Sequence, residues 1–292
     1  MRFIVFGDSK GKENGINIKT LNVIMNESSK LNPKAELLVI CGDSVAGSNK
    51  EETLAAQLKN FRSIVEKYHP NKPIIPVVGN HEVNIEPIDD RYERIFSSIY
   101  KDLTVDNSLK GYNKTVYYKD FKDTRLIVLN AFHYGETHKI SQKQLYWFKE
   151  VCSQYKKNKF VFVHSPAFPT GAHYSHCLDL YPKDRDAFWH IIDSCNVDIV
   201  FSGHEHNYSR RMVNGSFSES SIRFKRDIYQ IISGGGGEKL RNKYTSKEGV
   251  LIAPIDIYHF VVVDVENDCI KVSAISSKGK KIDEFKIEKP SL

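Results

Sequence analysis

Short hydrophobic runs alternate with longer amphipathic stretches through the first half of the chain. The runs have the length of buried strands, and the predicted strands are residues 2–6, 37–40 and 74–78. In the stretches between them, apolar residues recur at helical spacing, and the predicted helices are 18–25 and 54–65. Pro73 and Pro76 indicate that the third strand starts here or lies at an edge of its sheet, because proline lacks the N–H of a ladder hydrogen bond.

The second half of the chain is richer in strands. Ser141 is placed to cap a helix over residues 145–151, because its hydroxyl can accept from a free backbone N–H of the first turn. Shorter helices are predicted at 91–100 and 188–192. The predicted strands are 115–118, 125–129, 160–163, 199–201, 228–232, 259–265, 270–275 and 285–287. We find no repeat, low-complexity segment or linker, and therefore expect one α/β domain over residues 1–292.

Composition narrows the class of protein only slightly. The net charge of +6 is a mild excess, too diffuse to indicate a nucleic-acid binder, although it could help attract phosphate. The five cysteines form no C-x-x-C pair, which favours buried free thiols over a disulfide framework. With no apolar run of about 20 residues and no leader before the first strand, we expect a cytoplasmic protein without a membrane partner.

Potential metal ligands directly follow five of the predicted strands. They occur in FGDSK with Asp8, CGDS with Asp43, GNHE with Asn80, His81 and Glu82, FVHSP with His164, and SGHEHNY with His204 and His206. Each segment alone is better explained as a turn or as a buried histidine. Together they point to one site, because the strand ends of an α/β sheet project their loops into a shared crevice. Mixed oxygen and imidazole donors favour Mn, Fe, Zn or Ni over Ca or Mg.

The series G-D, G-D, G-N-H-E, H-S-P and G-H-E-H resembles the calcineurin-like metallophosphoesterase superfamily over nearly the whole chain. GNHE, GHEHNYSR and the late ISGGGGEKL turn before YHFVVVDV are most similar to its purple-acid-phosphatase-like branch. The resemblance implies a four-layer α/β/β/α sandwich, with two mixed sheets flanked by helices. It also implies hydrolysis of a small phosphomonoester or phosphodiester by metal-activated hydroxide.

The resemblance further implies a role for each matching residue. The expected metal ligands are Asp8 and His206 for a first ion, Asn80, His164 and His204 for a second, and Asp43 as the bridge between them. His81 would face the substrate, stabilise the phosphoryl oxygens and protonate the leaving group. A carboxylate such as that of Asp8 would orient it.

Two positions depart from this family pattern. Lys10 stands where most members have a histidine ligand, and Ala46 stands where the purple branch has a tyrosine. An ammonium has no lone pair, and with a reference pKa of about 10.4 lysine is a poor ligand. The first ion could bind more weakly, Lys10 could replace it, or another side chain could complete the shell, namely Ser9, Ser44, His173 or His176. We expect the first outcome, one or two ions per chain, with Lys10 beside the phosphate as a second catalytic residue.

Further candidates for substrate binding or for support of the ligands are Glu82, His173, His176, Tyr208 and Arg210. The glycines at 234–237 lack a following G-K-S/T, which favours a tight turn near the site over a phosphate loop. Two rival functions stay open. One is a non-catalytic scaffold with a weakened metal site, motivated by Lys10 and Ala46. The other is a nuclease, although the sequence shows no basic groove with aromatic residues to support nucleic acid as a partner.

The residue at position 46 predicts the colour of the protein. A purple iron site requires a phenolate ligand, and Ala46 offers no donor side chain. The absorption spectrum of the iron-loaded protein should therefore show no charge-transfer band in the visible region. A visible band would contradict this interpretation of Ala46.

Overall fold

Two mixed β-sheets lie face to face between layers of helices in the computed structural model, which describes residues 1–289. The strands are β1 (Arg2–Phe6), β2 (Lys10–Glu13), β3 (Leu37–Ile40), β4 (Ile74–Pro76), β5 (Asn107–Ser108), β6 (Tyr117–Phe121), β7 (Thr124–Val128), β8 (Asn158–Phe162), β9 (Ile199–Ser202), β10 (Tyr208–Val213), β11 (Ile228–Ser233), β12 (Val250–Ile255), β13 (His259–Val265), β14 (Cys269–Ser276) and β15 (Lys281–Glu288). The helices are α1 (Ile18–Ser28), α2 (Glu51–Tyr68), α3 (Arg91–Ile99), α4 (Gln142–Ser153) and α5 (Pro182–Ser194). The expected four-layer sandwich is confirmed.

The first sheet has one parallel and one antiparallel half, whereas the second has a parallel centre and antiparallel margins. The first sheet has the order β15-β14-β13-β1-β3-β4, with β1, β3 and β4 parallel. The second has the order β12-β10-β11-β9-β8-β7-β6-β5, with β7, β8, β9 and β11 parallel. The carboxyl ends of these parallel strands carry the metal-type segments, so both sheets contribute to one edge of the sandwich.

Side-chain alternation along the central strands divides the apolar residues between two cores. In β1, Phe3 and Val5 face the opposite sheet, while Ile4 and Phe6 belong to the core under the helices. Phe3 meets Phe160 of the second sheet edge to face, with ring centroids 5.2 Å apart. Because both faces of each strand are buried, the strands appear in the sequence as continuous apolar runs.

Most predicted elements are confirmed, and the misses have identifiable causes. β4 is an edge strand, as its prolines indicated, and the Ser141 hydroxyl accepts from the N–H of Gln144 at the start of α4. Helix α5 begins earlier than predicted, at Pro182, which occupies the first helical position. Strands β2, β5, β10 and β12 were not predicted. β10 contains two arginines that are largely buried, so it lacks the apolar alternation of an ordinary strand.

The structure also bears on the expectations about the cysteines and about membrane-spanning segments. All five cysteines are buried with free thiols, as predicted. Within residues 1–289, no helix is both long and apolar enough to cross a membrane.

A buried hydrogen-bonded ion pair joins the margins of the two sheets. The Tyr208 hydroxyl donates to Asp283 Oδ2 at 2.6 Å, and Arg210 donates to both Asp283 oxygens at 2.7 and 3.1 Å. Tyr208 and Arg210 lie on β10, whereas Asp283 lies on β15 of the first sheet. The expectation that Tyr208 and Arg210 approach substrate or the metal ligands is therefore wrong, because their polar groups are engaged between the sheets.

Removing the Asp283 carboxylate should destabilise the fold. Asp283→Ala leaves the Arg210 charge buried without its partner, and we expect the free energy of unfolding to fall by about 3 kcal/mol. Urea denaturation followed by circular dichroism measures the loss. Glu284→Ala is the matched control, since Glu284 is the exposed neighbour that pairs with Lys281 at the surface. Equal losses in the two variants would refute this role of Asp283.

Candidate active site

The predicted ligands lie on unusually tight turns at the strand ends. Asp8, Asp43, His204 and His206 have φ of 62°, 52°, 70° and 53°, a left-handed conformation that non-glycine residues rarely adopt. Such strain is typical of positions at which a side chain must be aimed at a functional centre. Gly79 is required beside them, because a Cβ there would collide with Asp43 Oδ1.

Four predicted ligands, namely the three expected for the second ion and the bridging Asp43, lie together and are called the first donor group. The His164 Nε2 atom lies 3.2 Å from Asn80 Oδ1, 3.2 Å from His204 Nδ1 and 3.4 Å from Asp43 Oδ1. All four residues are buried. Ligand atoms that surround one transition-metal ion at about 2.0–2.2 Å lie roughly 3 Å from one another. The spacing and the chemistry of these donors therefore fit one divalent ion.

Backbone carbonyls determine which nitrogen of each ligand histidine carries its proton. The bonds are His164 Nδ1 to Cys41 O at 2.6 Å, His204 Nε2 to His176 O at 3.1 Å and His206 Nδ1 to Lys239 O at 3.2 Å. Because a carbonyl oxygen can only accept, the nitrogen facing it must carry hydrogen. In the neutral form of each ring, the opposite nitrogen carries the lone pair and is directed into the site, as metal ligation requires.

A second donor group shares Asp43 with the first and is completed by Asp8 and His206. His206 Nε2 lies 3.5 Å from Asp8 Oδ1, and this buried carboxylate oxygen has no hydrogen-bond partner. Lys10 lies inside this group, with Nζ 2.5 Å from Asp43 Oδ2 and 3.5 Å from His206 Nε2. The second group thus has suitable donors but already contains a cationic side chain, and it fits a further ion poorly.

The buried charges shift one another strongly. Burial raises the pKa of Asp8 to about 8, against the opposing effect of His164. Burial also acts against the charge of Asp43, but His164 and Lys10 outweigh it and hold the pKa of this carboxyl well below its usual range. For Lys10, burial is outweighed by Asp43 and Asp8, which raise its pKa. Lys10 is therefore an ammonium in contact with an ionised carboxylate.

Two buried glutamates hold the loops that carry the ligands. Glu82 accepts from the backbone N–H groups of Asp43, Ser44 and Gly79 at 2.7–2.8 Å. This agrees with its expected supporting role. Glu205, which the sequence did not single out although it lies between the two histidines of GHEH, accepts from the N–H groups of Thr170 and Gly171. Both carboxylates are fully buried, so each loop depends on one of them for its backbone hydrogen bonds.

His81 lies at the mouth of the site with a defined tautomer. Its Nδ1 donates to the carbonyl of Ala46 at 2.8 Å, so Nε2 is the nitrogen that faces the cleft, 3.9 Å from Asp43 Oδ2. A quarter of the side chain is exposed. The expectation that Asp8 orients His81 is wrong, because the Ala46 carbonyl orients the ring instead.

The donor groups open into a cleft of about 430 Å³. The predicted residues His173 and His176 line it, and the His173 ring lies 4.5 Å from the His204 ring, centroid to centroid. The sequence did not single out the further lining residues, which are Ile85, His138, Glu238 and Arg241. Burial lowers the pKa of both His138 and His173 to about 4, so both rings are neutral at neutral pH.

Two other expectations concern the surroundings of the second donor group. The hydroxyls of Ser9 and Ser44 donate to the Ser44 carbonyl and to Glu82, so both are engaged in holding the loops. The glycine run forms a tight turn beside the site, as predicted, with Gly236 N–H donating to the Gly7 carbonyl at 2.8 Å.

The family model described as calcineurin-like phosphoesterase matches residues 1–208, and the chain belongs to this family. The serine/threonine-protein phosphatase CPPED1 of Pongo abelii is 22% identical over 217 residues, which cover 68% of this chain and 62% of that relative. Purple acid phosphatase 21 of Arabidopsis thaliana is 25% identical over 157 residues, or 52% of this chain and 34% of the relative. The chain thus spans about three fifths or less of the length of these relatives.

A solved structure shows the same fold. The purple acid phosphatase PPD1 from yellow lupin (Lupinus luteus) seeds superposes with a TM-score of 0.77 at 16% identity, covering 99% of this chain and 53% of the lupin chain. At this level of identity the superposition shows the shared fold.

Glu82 allows a test of how the loops support the donors. Glu82→Gln places an amide NH₂ against backbone N–H donors, and the free energy of unfolding should fall by about 2–3 kcal/mol. Affinity for Mn²⁺, measured by calorimetric titration, should fall about 10- to 100-fold because Asp43 and Gly79 lose their common anchor. Glu86→Gln, an exposed substitution four residues later, is the control. Unchanged Mn²⁺ affinity in Glu82→Gln would contradict the supporting role.

Proposed function

We propose that this protein hydrolyses a phosphate ester with the help of a divalent transition metal ion. The observation that carries the proposal is the convergence of the first donor group, in which backbone carbonyls hold the outer nitrogens of His164 and His204 so that the inner nitrogens face Asp43 and Asn80. Structural ion pairs do not need two imidazoles that are each held by a backbone carbonyl and have their remaining nitrogens directed at the same point. A metal ion does.

The proposed ligands are Asp43, Asn80, His164 and His204. Imidazole nitrogen with carboxylate and amide oxygen favours Mn, Fe, Zn or Ni over the hard cations Ca and Mg. A divalent ion held there would polarise a phosphoryl oxygen and lower the pKa of bound water. The chain's own contribution is to place the ester next to these ligands and to handle the proton of the leaving group.

His81 is the proposed general acid. The Ala46 carbonyl fixes the hydrogen on Nδ1, so a second proton on the ring resides on Nε2, which faces the cleft. From there His81 can donate to a phosphoryl oxygen, and to the leaving oxygen as its bond to phosphorus breaks. This free imidazole edge favours an enzyme over the non-catalytic scaffold, in which such a group has no use.

The proposed substrate is a small phosphate ester. The cleft has room for a phosphoryl group and a modest leaving group, and Arg241 stands at its rim as an exposed cation. An adjoining cavity of about 620 Å³ shares Lys10, His81 and Glu238 with it. A leaving group bulkier than that of a simple monoester could therefore extend past His81.

Hydrolysis of aryl phosphate mono- and diesters by the metal-free protein with added Mn, Ni, Zn or Fe tests this function. We expect turnover that needs one of these ions and is lost on chelation and in Asp43→Asn. His81→Ala should lower kcat about 10²- to 10⁴-fold. The loss should be larger for an alkyl phosphate than for a nitrophenyl phosphate, whose leaving group hardly needs a proton.

His190→Ala is the control for the histidine substitution, since His190 is exposed on α5. It should leave turnover unchanged. No turnover with any of the metals, or turnover that survives Asp43→Asn, would overturn the proposed function.

A further inference from the structure

The shared carboxylate of Asp43 faces different partners with its two oxygens. Oδ1 lies 3.4 Å from His164 Nε2 and accepts from the backbone N–H of His81 at 3.0 Å. Oδ2 lies 2.5 Å from Lys10 Nζ. The first donor group therefore uses one oxygen, and the ammonium occupies the other.

A short hairpin holds Lys10 in this position. The backbone N–H of Lys10 donates to the carbonyl of Asp43. After β2 the chain turns back at Asn14 and Gly15, whose φ values of 50° and 76° suit a two-residue hairpin turn. The Gly15 carbonyl in turn accepts from Ala46 N–H. Lys10 is 7% exposed, so its side chain is largely enclosed.

The ionised carboxylate of Asp43 needs positive charge close by, because burying an unpaired ion is costly. A divalent ion in the first group and the ammonium in the second place a cation on each side of Asp43. A second divalent ion would instead have to share Asp43 and His206 with an ammonium that has no lone pair to offer. Like charges at such short range repel strongly in a poorly solvated site.

We propose that this protein binds a single divalent ion, held by Asp43, Asn80, His164 and His204, and that the Lys10 ammonium takes the place of a second. This replaces the expectation that a first ion binds weakly through Asp8 and His206. Only the consequence for catalysis rests on the proposed function: Lys10 also lines the cleft, so an N–H not used by Asp43 or His206 can bind a phosphoryl oxygen.

The experiment counts ions in protein that has been loaded with Mn²⁺ or Zn²⁺ and desalted. Elemental analysis should give about one ion per chain for the wild type, as for a single closed donor set. Lys10→His replaces the ammonium by a lone-pair donor, and its content should rise to about two ions per chain. Lys12→His introduces the same side chain at an exposed position two residues later, and its ion content should equal that of the wild type.

Substitution of His206 provides a second, independent test based on the ion count. In the wild-type background, His206→Ala should leave the ion count unchanged, because no ion uses this ring. In the Lys10→His background, it should return the count to that of the wild type. His204→Ala should abolish stoichiometric binding in the wild-type background and lower the count by about one ion in the Lys10→His background. Circular dichroism and thermal melting establish that each variant is folded.

Two ions per wild-type chain, or a lower count in His206→Ala alone, would overturn the inference even if Lys10→His failed to fold. A folded Lys10→His with no additional ion would overturn it as well. Activity is a separate readout. If no variant hydrolyses any ester but the ion counts follow this pattern, the proposed function fails and the inference about Lys10 stands.

Discussion

The burial of Asp8 and Asp43 side by side is the constraint on which the rest of the site depends. Both carboxylates are fully excluded from solvent, and one oxygen of Asp8 has no hydrogen-bond partner. Carboxyl groups are buried in this way only where cations or directed donors surround them. Lys10 and the ligand histidines provide that surrounding, which explains why a protein with an ordinary net charge concentrates so many titratable groups at one edge of its sheets.

The backbone around these groups is organised to keep them in place. Carbonyl oxygens orient each of the four histidines at positions 81, 164, 204 and 206. The carboxylates of Glu82 and Glu205 instead accept hydrogen bonds from free backbone N–H groups of the loops. The conformational strain of the four left-handed ligands is thus offset by hydrogen bonds that surround them, which is how strained geometry persists at functional sites.

Prediction from sequence succeeded where a residue's environment follows from its local pattern. Central strands such as β1 and β3 are apolar on both faces and were recognised as runs, and α4 was recognised by its cap at Ser141. β10 was missed because Arg210 and Arg211 are buried through distant partners, Asp283 and the carbonyl of Glu248. The Asn14–Gly15 pair is a usable sign in the sequence of the β2 hairpin.

The sequence by itself determined the family, the layered α/β class and the set of potential ligands, because strand–helix alternation brings successive strand ends to one edge. Only the tertiary structure decided how the ligands are shared between two donor groups. The position of Lys10 depends on contacts with Asp43 and His206, which are 33 and 196 residues away along the chain. The protonation of each histidine depends on which carbonyl lies beside it. Such long-range contacts leave no local periodicity, and they settle where the positive charge of this site resides.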